Sequence, residues 1–589
     1  MRDWKLSIID TGHRPSLSYQ YKWGTKEQDV VLSFHTVHVA DWGLPTDRSS
    51  PSTIKNLSIA SGQSTQLATR IRAWLRTCEK YHRACRPSST WTMPDRVLDL
   101  GLGPDSKIRL IRCAALSHSY AALSYCWGST EQYRLTSETT DQLAAGVQSH
   151  DLAKTTQDAI DIAREIGLRY LWIDALCIYQ DDCADWERQS ANMGNIYENA
   201  ALTLVASNAS STAEGFLRPR SLAEGYCGYT TYQDQKKAVY LCQPSVGFEV
   251  ATVYERSDVV AHEPLSARGW AQQERLLSRR KVMFGARQMF WQCRERTCTE
   301  NGLMPDDDFL GLSAFVDTKQ SHASWIAAVE SFSSSKLTRM SDRLPALSGL
   351  ASTYCKLTGD EYLAGHWSKD LAKGSLLWRA QSPRSRPTSS TYRAPSWSWA
   401  SVDGPVLYPQ QERSQHLGTY FSTLGNKMSP LATLHDHCIE VKGANPFGEV
   451  THGWLDIRAP VIPMREGALA ALTRLSRYQS YANDSHTIML YPRGESSNGS
   501  LESIFDHIWP KDIRTVEIAI DDPLTLTNSP GYCIAIAEES STYFKADVKW
   551  VAGLIVTPDS FGETTYRRVG VFFSLYGIPL PEPTIMRLV

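Results

Sequence analysis

Apolar runs alternate with amphipathic segments in the middle of the chain, and their order predicts an α/β domain. Three short runs are almost continuously apolar, which is typical of strands buried on both faces of a sheet. They are Tyr120–Tyr125, Arg169–Ile178 and Ala201–Ala206. The second run carries one carboxylate, Asp174, which we expect at the centre of its strand.

Two helices are predicted between these strands. The first has an apolar stripe at helical spacing and ends at Gly167, a residue suited to a helix C-cap. The second has its buried side at Trp186, Met193, Ile196, Tyr197 and Ala200. This order predicts a parallel sheet that binds ligands at the carboxyl ends of its strands. We expect those ends at residues 124–129, 180–185 and 207–211.

A third segment places a carboxylate on an apolar helix face. Trp270, Glu274 and Leu277 are spaced to share one side of a helix. A buried carboxylate is unfavourable unless it is paired or has a function. Glu274 is therefore either a functional residue or one half of an ion pair with Arg268 or Arg279. Strands are predicted to follow at Lys281–Phe284 and Gln288–Gln292.

The flanks differ from this central domain. Residues 66–85 have a helical apolar period, so the N-terminal region, 1–114, is predicted to contain a helix. We assign 115–300 to the central domain, with an insertion at about 215–264, and 301–589 to an α+β or β-rich C-terminal domain. Its predicted strands are Gly453–Ala459, Thr515–Ile520, Tyr532–Ala537, Trp550–Val556 and Tyr566–Phe573.

Cys78, His82 and Cys85 offer a candidate metal site at helical spacing. Thiolates and imidazole are zinc ligands, but a structural zinc site needs a fourth ligand. Three ligands on one straight helix also converge poorly on a tetrahedron. We therefore predict that these side chains pack in the core and that no metal binds.

Composition excludes several classes of function. The formal net charge of 589 residues is only −2, so neither nucleic acid nor another polyelectrolyte is an expected partner. Thirteen cysteines, an odd number, indicate reduced thiols. The sequence predicts neither a signal peptide nor a membrane-spanning run. We expect a cytoplasmic protein. Serine-hydrolase, P-loop and zincin motifs are missing from the sequence.

Three blocks of unusual composition resemble the fungal heterokaryon-incompatibility (HET) domain over about residues 115–295. The first block is Tyr120–Gly128. The second is Leu171–Gln180 followed by Trp186, Met193, Ile196 and Tyr197, and the third is Arg268-Gly-Trp270 with Gln273, Glu274 and Leu277-Ser-Arg279. The flanks are also similar to companions of this domain: Trp74 with Cys78 and Cys85 before it, and Asp342–Ala351, Pro395–Ala400 and Arg568–Gly570 after it.

The resemblance implies a role in non-self recognition and programmed cell death when incompatible hyphae fuse. It also implies a parallel-sheet, TIR-like (flavodoxin-like) fold, because HET domains are remotely similar to TIR domains. Certain TIR domains hydrolyse NAD with a glutamate in a Trp-x-x-x-Glu pattern. Trp270–Glu274 has that spacing.

On that resemblance, Glu274 is the candidate catalytic residue and NAD the candidate substrate, with no resident cofactor. The candidate nucleotide-binding residues are Ser124, Trp127, Gly128, Asp174, Gln180, Arg268 and Trp270. Asp174 either orients a ribose or binds backbone groups at a strand end.

Two classes of function therefore stay open. In the first, the protein is a signalling module whose HET domain oligomerises and acts through contacts with protein partners. In the second, the domain is an NAD glycohydrolase restrained by its flanks. A third alternative is an accessory role in a fungal gene cluster.

Overall fold

A computed structural model describes residues 5–10, 15–23, 26–32, 64–87, 91–103, 105–113, 118–218, 225–232, 235–242, 263–286, 289–300, 321–381, 392–409, 428–464, 466–469, 472, 487–490, 515–521, 530–541, 548–559, 564–575 and 580–589. Most of the predicted insertion and Gln288 lie outside this set. The chain divides into two compact units. The first contains Met1–Asp182, Ile196–Ser266 and Ser278–Ser313; the second contains Cys183–Asn195, Ala267–Leu277 and Ala314–Val589.

The first unit is built on an eight-stranded mixed sheet. Its described strands are β1 (Lys5–Asp10), β2 (Pro15–Trp23), β3 (Lys26–Leu32), β4 (Arg96–Asp99), β5 (Arg109–Arg112), β6 (Tyr120–Ser124), β7 (Tyr170–Trp172), β8 (Leu202–Val205), β9 (Gly225–Tyr232), β10 (Gln235–Cys242), β11 (Arg280–Phe284), β12 (Met289–Cys293) and β13 (Thr297–Thr299). β1–β3 form a separate antiparallel sheet and β9 pairs with β10. The remaining strands follow the order β13-β12-β11-β8-β6-β7-β4-β5.

The four central strands of this sheet are parallel. β6 pairs with β7 on one side and with β8 on the other, and β8 pairs with β11. Across the sheet these four strands lie in the order β7-β6-β8-β11. If they are numbered by their place in the chain, this order is second, first, third, fourth, so the direction of strand addition reverses between β6 and β8. Every residue of these strands is buried, as expected for parallel strands covered on both faces. A mixed α/β fold with a parallel centre is confirmed.

Helices of the first unit connect these strands. They are α1 (Ser64–Tyr81), α2 (Thr140–Ala145), α3 (Lys154–Ile166) and α4 (Asp174–Cys177), and α5 (Cys183–Asn199) contributes only its end. α3 buries its predicted apolar stripe and ends at Gly167, whose left-handed backbone has φ +85°. The Gly167 N–H donates to Ala163 and Arg164 carbonyls, which confirms the predicted C-cap.

The strand predicted over Arg169–Ile178 is wrong in its second half. β7 ends at Trp172, and Asp174 begins the single helical turn α4 rather than lying at a strand centre. A short apolar run does not distinguish a buried strand from a buried helical turn. A distant segment binds a carbonyl group of this turn, since the Leu135 N–H donates to the Ala175 carbonyl at 2.8 Å.

The second unit combines helices with a ten-stranded, mainly antiparallel sheet. Its helices are α6 (Gly269–Leu277), α7 (Ser321–Ser333) and α8 (Ser348–Thr358). Its described strands are β14 (Tyr362–Leu363), β15 (His366–Trp367), β16 (Arg379–Ala380), β17 (Val406–Leu407), β18 (Ser429–Pro430), β19 (Thr433–Val441), β20 (Val450–Ala459), β21 (Val461–Pro463), β22 (Thr487–Leu490), β23 (Thr515–Ile520), β24 (Tyr532–Ser541), β25 (Val548–Pro558), β26 (Thr565–Leu575) and β27 (Thr584–Leu588). The five strands predicted for this region coincide with β20, β23, β24, β25 and β26. The predicted domain boundaries at 114 and 300 remain predictions.

None of the helices in the described part of the chain is long and apolar enough to cross a membrane.

A buried ion pair stabilises the core of the second unit. Arg568 Nε lies 3.0 Å from Asp521 Oδ2, and both side chains are 0% exposed. The guanidinium also donates to the carbonyls of Leu376 and Trp378 and stacks on the Trp378 ring at 3.4 Å. Because each charge is desolvated, either one without the other is strongly unfavourable.

We expect Arg568→Met to lower the free energy of unfolding of this unit by about 3–5 kcal/mol, because Asp521 is then buried without its cation. Denaturant unfolding of the full chain, followed by circular dichroism, measures the change.

Arg587→Met is the matched control. Arg587 pairs with Asp456 at 2.7 Å in the same sheet, but its side chain is 42% exposed. A solvated pair contributes about 1 kcal/mol or less. Equal losses in the two variants would contradict the importance of burial at Arg568.

Candidate functional site

β6 and β8 are parallel neighbours, so their carboxyl ends lie side by side. Strand addition reverses between them, and ligands of open α/β sheets bind at such a point. Ser124 is the last residue of β6 and is fully buried. Its carbonyl accepts the Ala206 N–H at 2.9 Å. Among the described residues, none hydrogen-bonds the buried Ser124 Oγ. A buried hydroxyl of this kind is a candidate contact for a bound polar group.

Trp127 and Asp174, two predicted site residues, meet at the ends of β6 and β7. Trp127 Nε1 donates to Asp174 Oδ2 at 2.9 Å, while the Ala175 N–H donates to Oδ1 at 2.8 Å. Asp174 is only 6% exposed, whereas Trp127 is half-buried. Gln180 reaches the same loop, since its Nε2 donates to the Ile178 carbonyl at 2.9 Å. Gln180 Nε2 also donates to the Asp174 carbonyl at 3.3 Å, so Trp127, Asp174 and Gln180 form one hydrogen-bonded strand end.

Gly128 brings the loop after β6 against the loop after β8. Its backbone has φ +69°, and a Cβ there would lie 2.4 Å from Ser211 Cβ. The neighbouring Thr212 N–H donates to the Trp127 carbonyl at 3.3 Å. Only glycine combines this backbone conformation with so close an approach. Ser124, Trp127, Gly128, Asp174 and Gln180 therefore all line the carboxyl ends of the central strands.

The remaining predicted residues belong to the second unit. Glu274 on α6 is 0% exposed, and its Oε1 lies 3.7 Å from Arg268 Nη1, so the alternative ion pair is present. Trp270 Nε1 donates to Asp342 Oδ2 at 3.2 Å. The Trp270 ring also packs edge-on against Trp186, with centroids 6.1 Å apart.

Burial raises the pKa of Asp342, and the Trp270 indole partly offsets that rise by donating a hydrogen bond to the carboxylate. The Trp270 indole is thus hydrogen-bonded to Asp342, and the Glu274 carboxylate has Arg268 as its counter-ion. The arrangement around α6 is that of a packed, charge-balanced core.

The family model described as Heterokaryon incompatibility protein (HET) matches residues 120–274. This segment is a HET domain. The match begins at the first residue of β6 and ends at Glu274, so it includes all the predicted site residues. No curated protein and no solved structure shows significant similarity to the chain.

Two arginines immediately after the matched HET segment have roles that the sequence patterns did not indicate. Arg279 donates to the Glu198 and Asn199 carbonyls at 2.7 and 3.1 Å, which binds the carboxyl end of α5. Arg280 donates to the Cys78 sulfur at 3.2 Å and to the Cys85 carbonyl at 2.8 Å. The only signal in the sequence is a pair of cations directly before an apolar strand.

A close contact between a helix of the HET segment and a later helix was also missed. A Cβ added at Gly194 on α5 would lie 2.9 Å from Gly349 Cα on α8. The Gly349 N–H donates to Gln273 Oε1 at 3.2 Å. Both glycines lie within helices, where a single sequence gives no sign of their partners.

We expect Gly128→Ala to destabilise the HET domain by roughly 1–3 kcal/mol more than Gly167→Ala. Both glycines have positive φ, but a Cβ at Gly167 meets no atom within 4 Å. The comparison therefore isolates the contact with Ser211 from backbone strain. Denaturant unfolding of the two full-length variants measures it. Similar losses would mean that the loops move apart easily.

Proposed function

We propose that this protein acts in heterokaryon incompatibility as a signalling module. Its HET domain works through contacts with protein partners, including copies of itself, and triggers programmed cell death when incompatible fungal hyphae fuse. The HET match to residues 120–274 supports this class of function. The near-neutral net charge of −2 fits protein partners better than nucleic acid.

The burial of Glu274 is the observation that favours a signalling module over an enzyme. The carboxylate is 0% exposed and has Arg268 at 3.7 Å as its counter-ion. A catalytic carboxylate must reach its substrate, whereas one that balances an arginine in a packed core need not. Contact signalling does not require Glu274 to reach a substrate.

Expression of the full chain from an inducible promoter in a filamentous fungus tests the proposal. We expect cell death on induction, and we expect Glu274→Gln to keep it, because glutamine nearly preserves the shape of the side chain. Immunoblotting controls for the amount of protein. The proposal fails if Glu274→Gln accumulates normally, loses the death response and spares a pool of cellular NAD that the unmodified chain depletes.

A second candidate function is NAD cleavage, and the strand order favours it. The sequence second, first, third, fourth is the order of flavodoxin-like sheets, which bind nucleotides where strand addition reverses. Ser124, Trp127 and Gly128 lie at that point, next to the Asp174 carboxylate. Asp174 would orient a ribose hydroxyl, and NAD would be the substrate rather than a resident cofactor.

In this candidate reaction, the bond between the ribose C1′ and the nicotinamide nitrogen breaks, and water attacks C1′. The products are nicotinamide, ADP-ribose and one proton. The transition state has oxocarbenium character, which a carboxylate stabilises while it positions the water. The resemblance to TIR domains gives that part to Glu274, which is paired with Arg268 in the structure.

We expect the purified full chain to release no nicotinamide from NAD above an enzyme-free control, because Glu274 is covered and paired. Chromatographic detection of nicotinamide, with Glu274→Gln run in parallel, measures this. If nicotinamide release is lost in Glu274→Gln but kept in Gly167→Ala, the protein is an NAD glycohydrolase and the signalling-module proposal is wrong.

A further inference from the structure

Four metal-ligating side chains converge in the first unit. The ligand atoms of Cys78, His82, Cys85 and Cys293 all lie within 4.8 Å of one another. The three cysteines are buried, and His82 is half-buried. Ligand atoms around a tetrahedral zinc ion are about 3.5–3.8 Å apart, given zinc–sulfur bonds of about 2.3 Å. The cluster is therefore within about 1 Å of a bound geometry.

We propose that these four side chains bind one zinc ion in a closed structural site. Three thiolates and one imidazole form one of the common ligand sets of structural zinc. Four protein ligands leave no open position for water or substrate, so the site supports the fold and is not catalytic.

Neither a straight helix nor a missing fourth ligand excludes a metal here. α1 ends at Tyr81, so His82 and Cys85 lie in the following turn rather than on a straight helix. The turn folds back because the Arg86 N–H donates to the Arg83 carbonyl at 3.2 Å. The fourth ligand is Cys293 at the end of β12, whose sulfur lies 3.2 Å from His82 Nδ1.

Surrounding groups suit a thiolate-rich ion. A divalent cation with three thiolates carries a net charge of −1, and the Arg280 guanidinium lies beside it, 3.2 Å from Cys78 Sγ. Arg280 is itself held by the Cys85 carbonyl at 2.8 Å. The Glu295 carboxylate accepts the Ala84 N–H at 2.6 Å, which fixes the turn between two ligands. Hydrogen-bonded groups of this kind orient ligands and tune zinc sites.

The proposed ion would fasten α1 to the sheet. His82 and Cys293 are 211 positions apart, and a cross-link between distant positions restricts the unfolded chain more than a local one. The two elements already pack together, since the Trp74 and Trp291 rings are 6.1 Å apart. Zinc would add its binding free energy to that contact.

Zinc content of the full chain, purified under reducing conditions from zinc-supplemented cells, tests the site by elemental analysis. We expect one zinc per chain, and almost none in Cys293→Ser. Cys298→Ser is the matched control: Cys298 is buried on β13, opposite Trp291, and outside the cluster. The Cys298→Ser variant should keep its zinc. Equal loss in both serine variants would overturn the proposal.

If Cys293→Ser does not fold, the unmodified chain gives the answer. After zinc removal by a chelator, we expect cobalt(II) to restore one equivalent of metal with thiolate charge-transfer and tetrahedral absorption bands. We also expect the midpoint of thermal unfolding to fall on chelation and to recover with zinc. Reduced protein that binds neither metal, or a disulfide among Cys78, Cys85 and Cys293, would overturn the proposal.

Discussion

Pairing of four parallel strands in a dry interior is the constraint on which the HET domain depends. Every residue of β6, β7, β8 and β11 is buried, so each backbone group there needs a hydrogen-bond partner within the protein. No strand interior can then present a ligand-binding group to solvent. Polar chemistry is confined to the strand ends, and Ser124 and Asp174 appear where β6 and β7 stop.

Those strand ends are held by contacts rather than left open. The Trp127 indole occupies one oxygen of Asp174, and the Ala175 N–H occupies the other. Gly128 rests directly on Ser211. A ligand at this edge would compete with, or rearrange, hydrogen bonds that the protein already makes. The Ser124 hydroxyl is the exception, because none of the described residues bonds it.

The local periodicity of apolar residues predicted the helices and strands well, because it reflects contacts that recur along one helix or strand. The stripe of α3, the runs of β6 and β8, and five strands of the second unit are of this kind. Asp174 was misplaced since a strand end and a single helical turn look alike in a short apolar run. Its Trp127 partner is 47 positions away and leaves no local pattern. Cys293 was missed for the same reason, since ligand convergence is set by the sheet and not by spacing.

Several residues of the third HET-like block make contacts that build the fold. Trp270 binds Asp342, Gln273 binds Gly349, and Glu274 pairs with Arg268. Just beyond the matched segment, Arg279 binds the end of α5. In each of these contacts a buried polar group has a specific partner that offsets the cost of its desolvation. Removal of either partner would leave the other without its bond. A resemblance made of structural residues identifies the domain firmly and says little about a reaction. Function in this protein must therefore also be tested at groups that the fold does not already use, and the Ser124 hydroxyl, which none of the described residues bonds, meets that condition.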